Sequence, residues 1–206
     1  ENEINWHLSN YLKTKGYNLI YHDVSKGLPV KSNSDMFALI SWFRSPEMIK
    51  PKKYLEFLES EVNKGKKIII LGNMGAHRDR ESQKWLEANE INKIYKLLGT
   101  EFLGHWTNDS KIIQFKKENK NYFKNSIEKD IKNLSHYIQI IPKHRSVKSI
   151  LEIERIDISK GKSSPIFISP FGAFAEGPFI FGKKAKAYLD VKTFVYSALT
   201  SETKTK

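Results

Sequence analysis

The sequence predicts an α/β domain: a mostly parallel central sheet flanked by helices, followed by a β-rich C-terminal half. Helical and strand-like apolar patterns alternate through the N-terminal half, which is the signature of strands joined by covering helices. Three strand-like runs fall before residue 72, namely Tyr17–Val24, Met36–Phe43 and Lys67–Leu71. The second is nearly all apolar, as a strand covered on both faces should be.

Each element has its own local reason. Glu3–Lys15 reads as a helix because Ile4, Leu8, Tyr11 and Leu12 fall on one face. Gly16 is placed to end it. Tyr17–Val24 reads as a strand, and Lys26-Gly27-Leu28-Pro29 as a loop. Pro46 and Pro51 frame the start of the next helix, since proline is tolerated in a first turn. Tyr54, Leu55, Leu58 and Val62 give that helix its buried stripe, and Gly65 stops it. Lys67–Leu71 is the third strand, and Gly72-Asn73-Met74-Gly75 a tight turn. A helix over Ser82–Leu98 follows, with Ile91, Ile94, Tyr95 and Leu98 on one face and Gly99 as its stop.

The second half turns to β patterns. Phe102–Trp106, Lys111–Lys116, Tyr137–Ile141, Ser149–Ile158, Pro165–Ser169, Phe179–Phe181 and Tyr188–Val191 are its strand candidates. Lys116–Asn133 is lysine-rich with a weak helical stripe. Ser159–Ser164 reads as a hairpin loop. A helix over Lys192–Leu199 closes the chain, and Thr200–Lys206 reads as a frayed tail. The 206 residues, 39% of them hydrophobic, suit one domain with a real core. The pattern opens on a helix, whereas a doubly wound domain opens on a strand. A fragment of a longer chain, with a first strand upstream of Glu1, is therefore expected.

Composition removes some chemistry. The absence of cysteine excludes disulfides, thiolate metal sites and cysteine nucleophiles. His7, His22, His77, His105, His136 and His144 are scattered without metal-ligand spacing, so no metal or other cofactor is expected. No Gly-x-Ser-x-Gly elbow occurs. The net charge of +12 invites a polyanion reading. Arginine, however, occurs only at positions 44, 78, 80, 145 and 155, and the lysines spread along the whole chain. Base readout and bidentate phosphate clamps favour arginine, so no specific nucleic-acid partner is expected. No apolar run reaches the length of a membrane span.

Four segments are candidates for chemistry, and each has a structural reading beside the functional one. Gly72-Asn73-Met74-Gly75-Ala76-His77 follows a strand, where ligands of doubly wound sheets bind, or is simply a tight strand-to-helix connection. Tyr21-His22-Asp23 ends another strand. Strand neighbours point to opposite faces, so His22 and Asp23 would each need a different partner. Trp42-Phe43-Arg44-Ser45 offers a stacking ring and a cation, or a core aromatic beside a surface arginine. Ser169–Phe179 interleaves glycines and aromatics with the carboxylate Glu176, lining a site or closing the core. If the strands are parallel, Asp23, Trp42, Arg44, Asn73, His77 and Arg78 gather on one sheet edge. They would form a ligand-binding set, with Glu176 as a secondary candidate.

Landmarks in order along the chain extend this reading. They are Gly16-Tyr17, Tyr21-His22-Asp23-Val24 with Gly27-Leu28-Pro29, Ser41-Trp42-Phe43 and Gly65 through Gly75. Further on come Asn92 with Leu98-Gly99, Pro170-Phe171-Gly172-Ala173-Phe174 and Tyr188 through Phe194. In this order the chain resembles the class I glutamine amidotransferase-like domain, a flavodoxin-like fold. It is similar to the versions found in bacterial envelope proteins of exopolysaccharide production, such as the pellicle-polysaccharide hydrolase–deacetylase. Active amidotransferases carry a cysteine in the elbow after the strand matching Ile68–Leu71. Here Asn73 or Met74 stands there, and neither can attack an amide. The resemblance thus implies a fold and a periplasmic or envelope polysaccharide context, with no catalytic residue carried over.

The expectation is a non-catalytic module that binds carbohydrate or serves as a scaffold for adjacent domains. The alternatives are a hydrolase of glycans or esters, using Asp23, His77 or Glu176 as acid/base, and a lysine-rich polyanion binder.

Overall fold

A computed structural model describes residues 2–29, 34, 36–40, 47–48, 50–72, 78–84, 86–107, 113–115, 137–154, 162–176 and 191–200. Helix α1 spans Asn2–Thr14 and buries Leu8 and Leu12, two members of the predicted stripe. Strand β1 is Met36–Ile40, and the short β2 is Glu47–Met48. Helix α2, Pro51–Asn63, starts on its proline and buries Tyr54, Leu55, Leu58 and Val62 as the spacing predicts. Strand β3, Lys67–Gly72, is buried along its whole length. Strand β4 is Arg78–Asp79 and helix α3 is Ala88–Leu97. Strands β5 (Thr100–Thr107), β6 (Ile113–Phe115), β7 (Tyr137–Pro142), β8 (Lys148–Glu154), β9 (Lys162–Ser169) and β10 (Gly172–Glu176) follow, and α4 is Val191–Thr200.

Among the described residues, six strands form one sheet in the order β1-β3-β10-β9-β8-β6. The sheet is mixed, which corrects the expectation of a mostly parallel one. β1, β3 and β10 are mutually parallel, whereas the pairs β10–β9, β9–β8 and β8–β6 are antiparallel. The reason lies in the connections. Only Pro170 and Phe171 separate β9 from β10, and a parallel return needs a crossover of a dozen residues or more. β10 itself went unread, because its glycine and the flanking prolines look like turn chemistry. A separate ribbon pairs β5 with β7, and a second pairs β2 with β4.

Tyr17–Val24 is not a strand, and this is a second correction. Residues 17–23 enter no ladder and lead into a single 3-10 turn, Val24–Lys26. Local bonds win there. The Asp23 carboxylate caps the turn by accepting the Ser25 N–H at 2.9 Å, and His22 Nε2 donates to the Gly27 carbonyl. The helix expected from Ser82 starts later, at Ala88, for a similar reason. Asp79 accepts the N–H groups of Glu81 and Ser82 at 2.8 and 2.9 Å, which holds that stretch in a turn. Glu90 then reaches back to the Glu87 N–H at 3.1 Å and fixes the true helix start. The expected strands Phe179–Phe181 and most of Tyr188–Val191, the stretch Lys116–Asn133 and the tail beyond Thr200 lie outside the described residues. Val191 itself belongs to α4.

Alternation along β3 builds a core on each face of the sheet. Ile69 and Leu71 join Leu8, Leu12, Phe194, Val195 and Ala198 beneath α1 and α4. Ile68 and Ile70 join Leu55, Leu58, Ile94, Tyr95, Phe102 and Ile140 beneath α2, α3 and the β5–β7 ribbon. Lys67 opens β3 and is buried. Its ammonium donates to the carbonyls of Ala198 and Leu199, both at 3.0 Å, and so satisfies the last turn of α4.

Glu61, at the end of α2, pairs with Lys64 at 2.6 Å and Lys66 at 2.5 Å. Hydrogen bonds from Lys64 and then Lys66 hold its carboxyl below the usual carboxylate range. A depressed folded pKa contributes stability above the unfolded value of about 4.3 and loses it as pH falls through the folded value. The stability difference between the parent and Glu61→Gln in urea is therefore expected at pH 7 and expected to shrink below about pH 4. An equal difference at pH 7 and pH 3 would show that the ion pairs contribute nothing.

Candidate functional site

The three parallel strands end at one edge. Ile40 of β1 is in register with Leu71 of β3, and Glu176 of β10 with Gly72 of β3. Gly72 takes φ +126°, a conformation open to glycine, so the chain can leave the sheet sharply at that point. The β2–β4 ribbon, whose strands follow β1 and β3 in sequence, sets Glu47 opposite Arg78 and Met48 opposite Asp79. The 3-10 turn that follows Asp23 packs against β2. Helix α2 begins three residues after β2, so its N-terminus lies near that ribbon.

The backbone thus joins the Asp23 turn to Arg78 through β2, and separately sets Glu176 beside Gly72 at the end of β3. Trp42, Arg44, Asn73 and His77 lie outside the described residues. In sequence, the first two follow β1 directly and the last two lie between β3 and β4.

Asp23 is exposed, and its carboxyl is held below the usual carboxylate range. The Ser25 hydroxyl is the main cause, followed by the Ser25 N–H and the charges of Lys26 and His22. An ionised carboxylate accepts hydrogen bonds from hydroxyl groups and does not donate a proton near neutral pH. This suits a binding group and not a general acid. His22 and Asp23 take different partners, although the strand geometry from which that was expected is absent.

His22 also stacks toward Tyr54 of α2, with ring centroids 6.5 Å apart and planes 28° apart. Burial pushes the Tyr54 phenol up to about 12, so it stays neutral and able to donate. That Tyr54 neighbours His22 and Glu47 pairs with Arg78 is not legible in the sequence. Tyr54 reads as one apolar position of a helical stripe, and Glu47 sits in a two-residue strand too short to carry a pattern. Among the described residues no group of three or more His, Asp or Glu side chains is placed to hold a metal ion. No described helix is long and apolar enough to cross a membrane.

Sheet order and two-sided core define a mixed α/β fold whose parallel strands end on one side. The chain belongs to a family described as an uncharacterised protein conserved in bacteria (DUF2194), whose profile matches residues 1–206. No curated protein and no solved structure matches it.

Proposed function

We propose that the chain is a non-catalytic, amidotransferase-like binding module of a bacterial envelope protein. It takes carbohydrate on the carboxyl edge of β1, β3 and β10. The observation that carries this reading is that β1, β3 and β10 end in register on one side, with Glu176 opposite Gly72, while Arg78 and the Asp23 turn are joined through β2. Ligands of parallel α/β sheets bind where such strands end. Carboxylates and a guanidinium suit a hydroxyl-rich or acidic ligand. An ionised Asp23 and a cysteine-free chain favour binding over acid catalysis or amide attack. In this reading Trp42 is the stacking surface and Arg44 the charge partner, on the strength of the sequence that follows β1.

Calorimetric titration of residues 1–206 with neutral and acidic oligosaccharides tests it. Trp42→Ala is expected to weaken every bound oligosaccharide by up to about tenfold, the usual worth of an aromatic contact. Arg44→Ala is expected to weaken acidic oligosaccharides about tenfold or more and neutral ones little. Unchanged affinity in both variants would remove this edge from consideration. Failure of the parent to bind any oligosaccharide at millimolar concentration would remove carbohydrate as the ligand.

A further inference from the structure

We infer that the end of the sheet opposite the proposed ligand edge is a basic docking face for an anionic lipid bilayer. In sequence the lysines are dispersed, but the topology gathers a group of them. β3 begins at Lys67, in register with Met36 of β1, and Ile68 is in register with Gly172 of β10. This is the amino end of all three parallel strands. α2 leads into it through Lys64 and Lys66, and the carbonyls that end α4 accept from Lys67 there. α1 runs beside α4 in the same direction, with Lys192 over the Tyr11 ring at 5.7 Å and Lys15 over the Tyr196 ring at 5.2 Å. The β7–β8 loop reaches this end from the other half of the sheet, since Lys148 pairs with Ile168, Ile168 with Ala173 and Ala173 with Ile69. It closes on the end of α3, where the N–H groups of Lys143 and His144 donate to the Gly99 carbonyl at 2.9 and 3.0 Å.

The exposed charges of this end are nearly all of one sign. Lys13 and Lys15 close α1 on one side of the sheet and are exposed. On the other side Lys64 follows α2 and Lys96 ends α3, and the β7–β8 turn adds Lys143, Arg145 and Lys148, again all exposed. The carboxylates of these same turns are Glu61 and Glu101, bound to Lys64 at 2.6 Å and to Lys143 at 2.8 Å. Lys13, Lys15, Lys96 and Arg145 enter no ion pair among the described residues. A helix end carries about half a negative charge, which one lysine more than offsets. α1 has two, and Lys143, Arg145 and Lys148 end no helix. Around the starts of α2 and α3 the signs are mixed instead: Lys52 pairs with Glu90 at 2.9 Å, and Lys50 lies near Asp79.

The chemistry of the face selects its partner. Six of the seven exposed cations are lysines, compact point charges without the fork that fixes a phosphate or a base edge. They stand on both sides of the sheet's end and not along one groove, so together they meet a surface and not a single polymer strand. An anionic bilayer attracts each such cation without fixed geometry, by about fivefold in partition. Docking by this face turns the carboxyl ends of β1, β3 and β10 away from the bilayer. The inference stands apart from the proposed carbohydrate site, which uses the other ends of the same strands.

Co-sedimentation of residues 1–206 with vesicles tests it, comparing phosphatidylcholine alone with phosphatidylcholine containing about one-third phosphatidylglycerol. Binding is expected to the anionic vesicles only, and it should fall as salt rises from about 0.1 M to about 0.5 M. Lys13→Gln with Lys15→Gln, on one side of the sheet, and Lys96→Gln with Arg145→Gln, on the other, are each expected to lower the partition about tenfold or more. Lys53→Gln with Lys84→Gln removes the same charge from exposed positions away from this face and should lower it less than about threefold. No binding to the anionic vesicles, or equal binding to both kinds, overturns the inference. An equal loss in all three variants also overturns it, because net charge alone then governs binding. Tighter binding to polygalacturonate or to single-stranded RNA at the same charge concentration overturns it too, and assigns the face to a polymer.

Discussion

Replacing Gly172 by alanine is expected to break the sheet at its centre. Gly172 opens β10 beside β3 and takes φ +152°. A Cβ there would lie 1.8 Å from the Ile68 carbonyl oxygen, 2.7 Å from its carbon and 3.0 Å from the Ile68 nitrogen. All three are backbone atoms, so no side chain can swing aside. Relief requires β10 to move off β3, which also loosens the bond of 3.1 Å from the Ile68 N–H to the Phe171 carbonyl. Strain of this kind costs more than about 4 kcal/mol, a large part of the 5–15 kcal/mol that holds a typical domain together. Urea unfolding followed by circular dichroism should show a midpoint lowered by more than about 1 M, or no folded protein. Gly65→Ala is the control. Its φ is +88° with nothing within 4 Å of the added carbon, so it costs only about 1–2 kcal/mol. Equal midpoints for the two variants would refute the close approach at Gly172.

Asn92→Ala is expected to have the next largest effect. The Asn92 amide donates to the Phe102 carbonyl and accepts the Phe102 N–H, both at 2.7 Å. It therefore completes the backbone of a β5 residue from α3. Phe102 is buried, so the lost side chain leaves two backbone groups unsatisfied at about 1–3 kcal/mol each. For a chain of this size the loss lowers Tm by roughly 4–20 °C. Asn92→Asp keeps the acceptor and loses the donor, and should fall between the parent and Asn92→Ala. A Tm for Asn92→Ala within about 2 °C of the parent would show that water replaces the amide there.

The elements that sequence reading recovered are those whose cause is local. α2 has a proline at its start, a glycine beyond its end and an apolar stripe between, and it folds where these signals place it. β3 is long, aliphatic and buried on both faces. Where the cause is distant, reading failed. Gly172 looks like a turn residue until Ile68 is known to lie against it, so β10 and the position of Glu176 were hidden together. Tyr17–Val24 carries strand-like residues, but a strand exists only through a partner, and local bonds at His22 and Asp23 decided its shape. The sequence offers the candidate edge as the segments that follow three expected strands, and one of those, Tyr17–Val24, is no strand. That the Asp23 turn meets β2, and that Arg78 faces Glu47, depends on pairing that no spacing reveals.

The position of β10 between β3 and β9 bears on synthesis of the chain. β9 lies within a few residues in sequence of its neighbours β8 and β10, so it meets both almost as soon as it emerges. β3 has to wait for β10, whose residue Gly172 pairs with Ile68. At a translation rate of about 5–20 residues per second, the intervening hundred or so residues take roughly 5–20 s to appear. For that interval Ile68-Ile69-Ile70-Leu71 is an aliphatic strand open along one side, the kind of segment on which nascent chains associate. Lys64, Lys66 and Lys67 stand immediately before it, so neighbouring nascent chains repel one another at that point until β10 arrives.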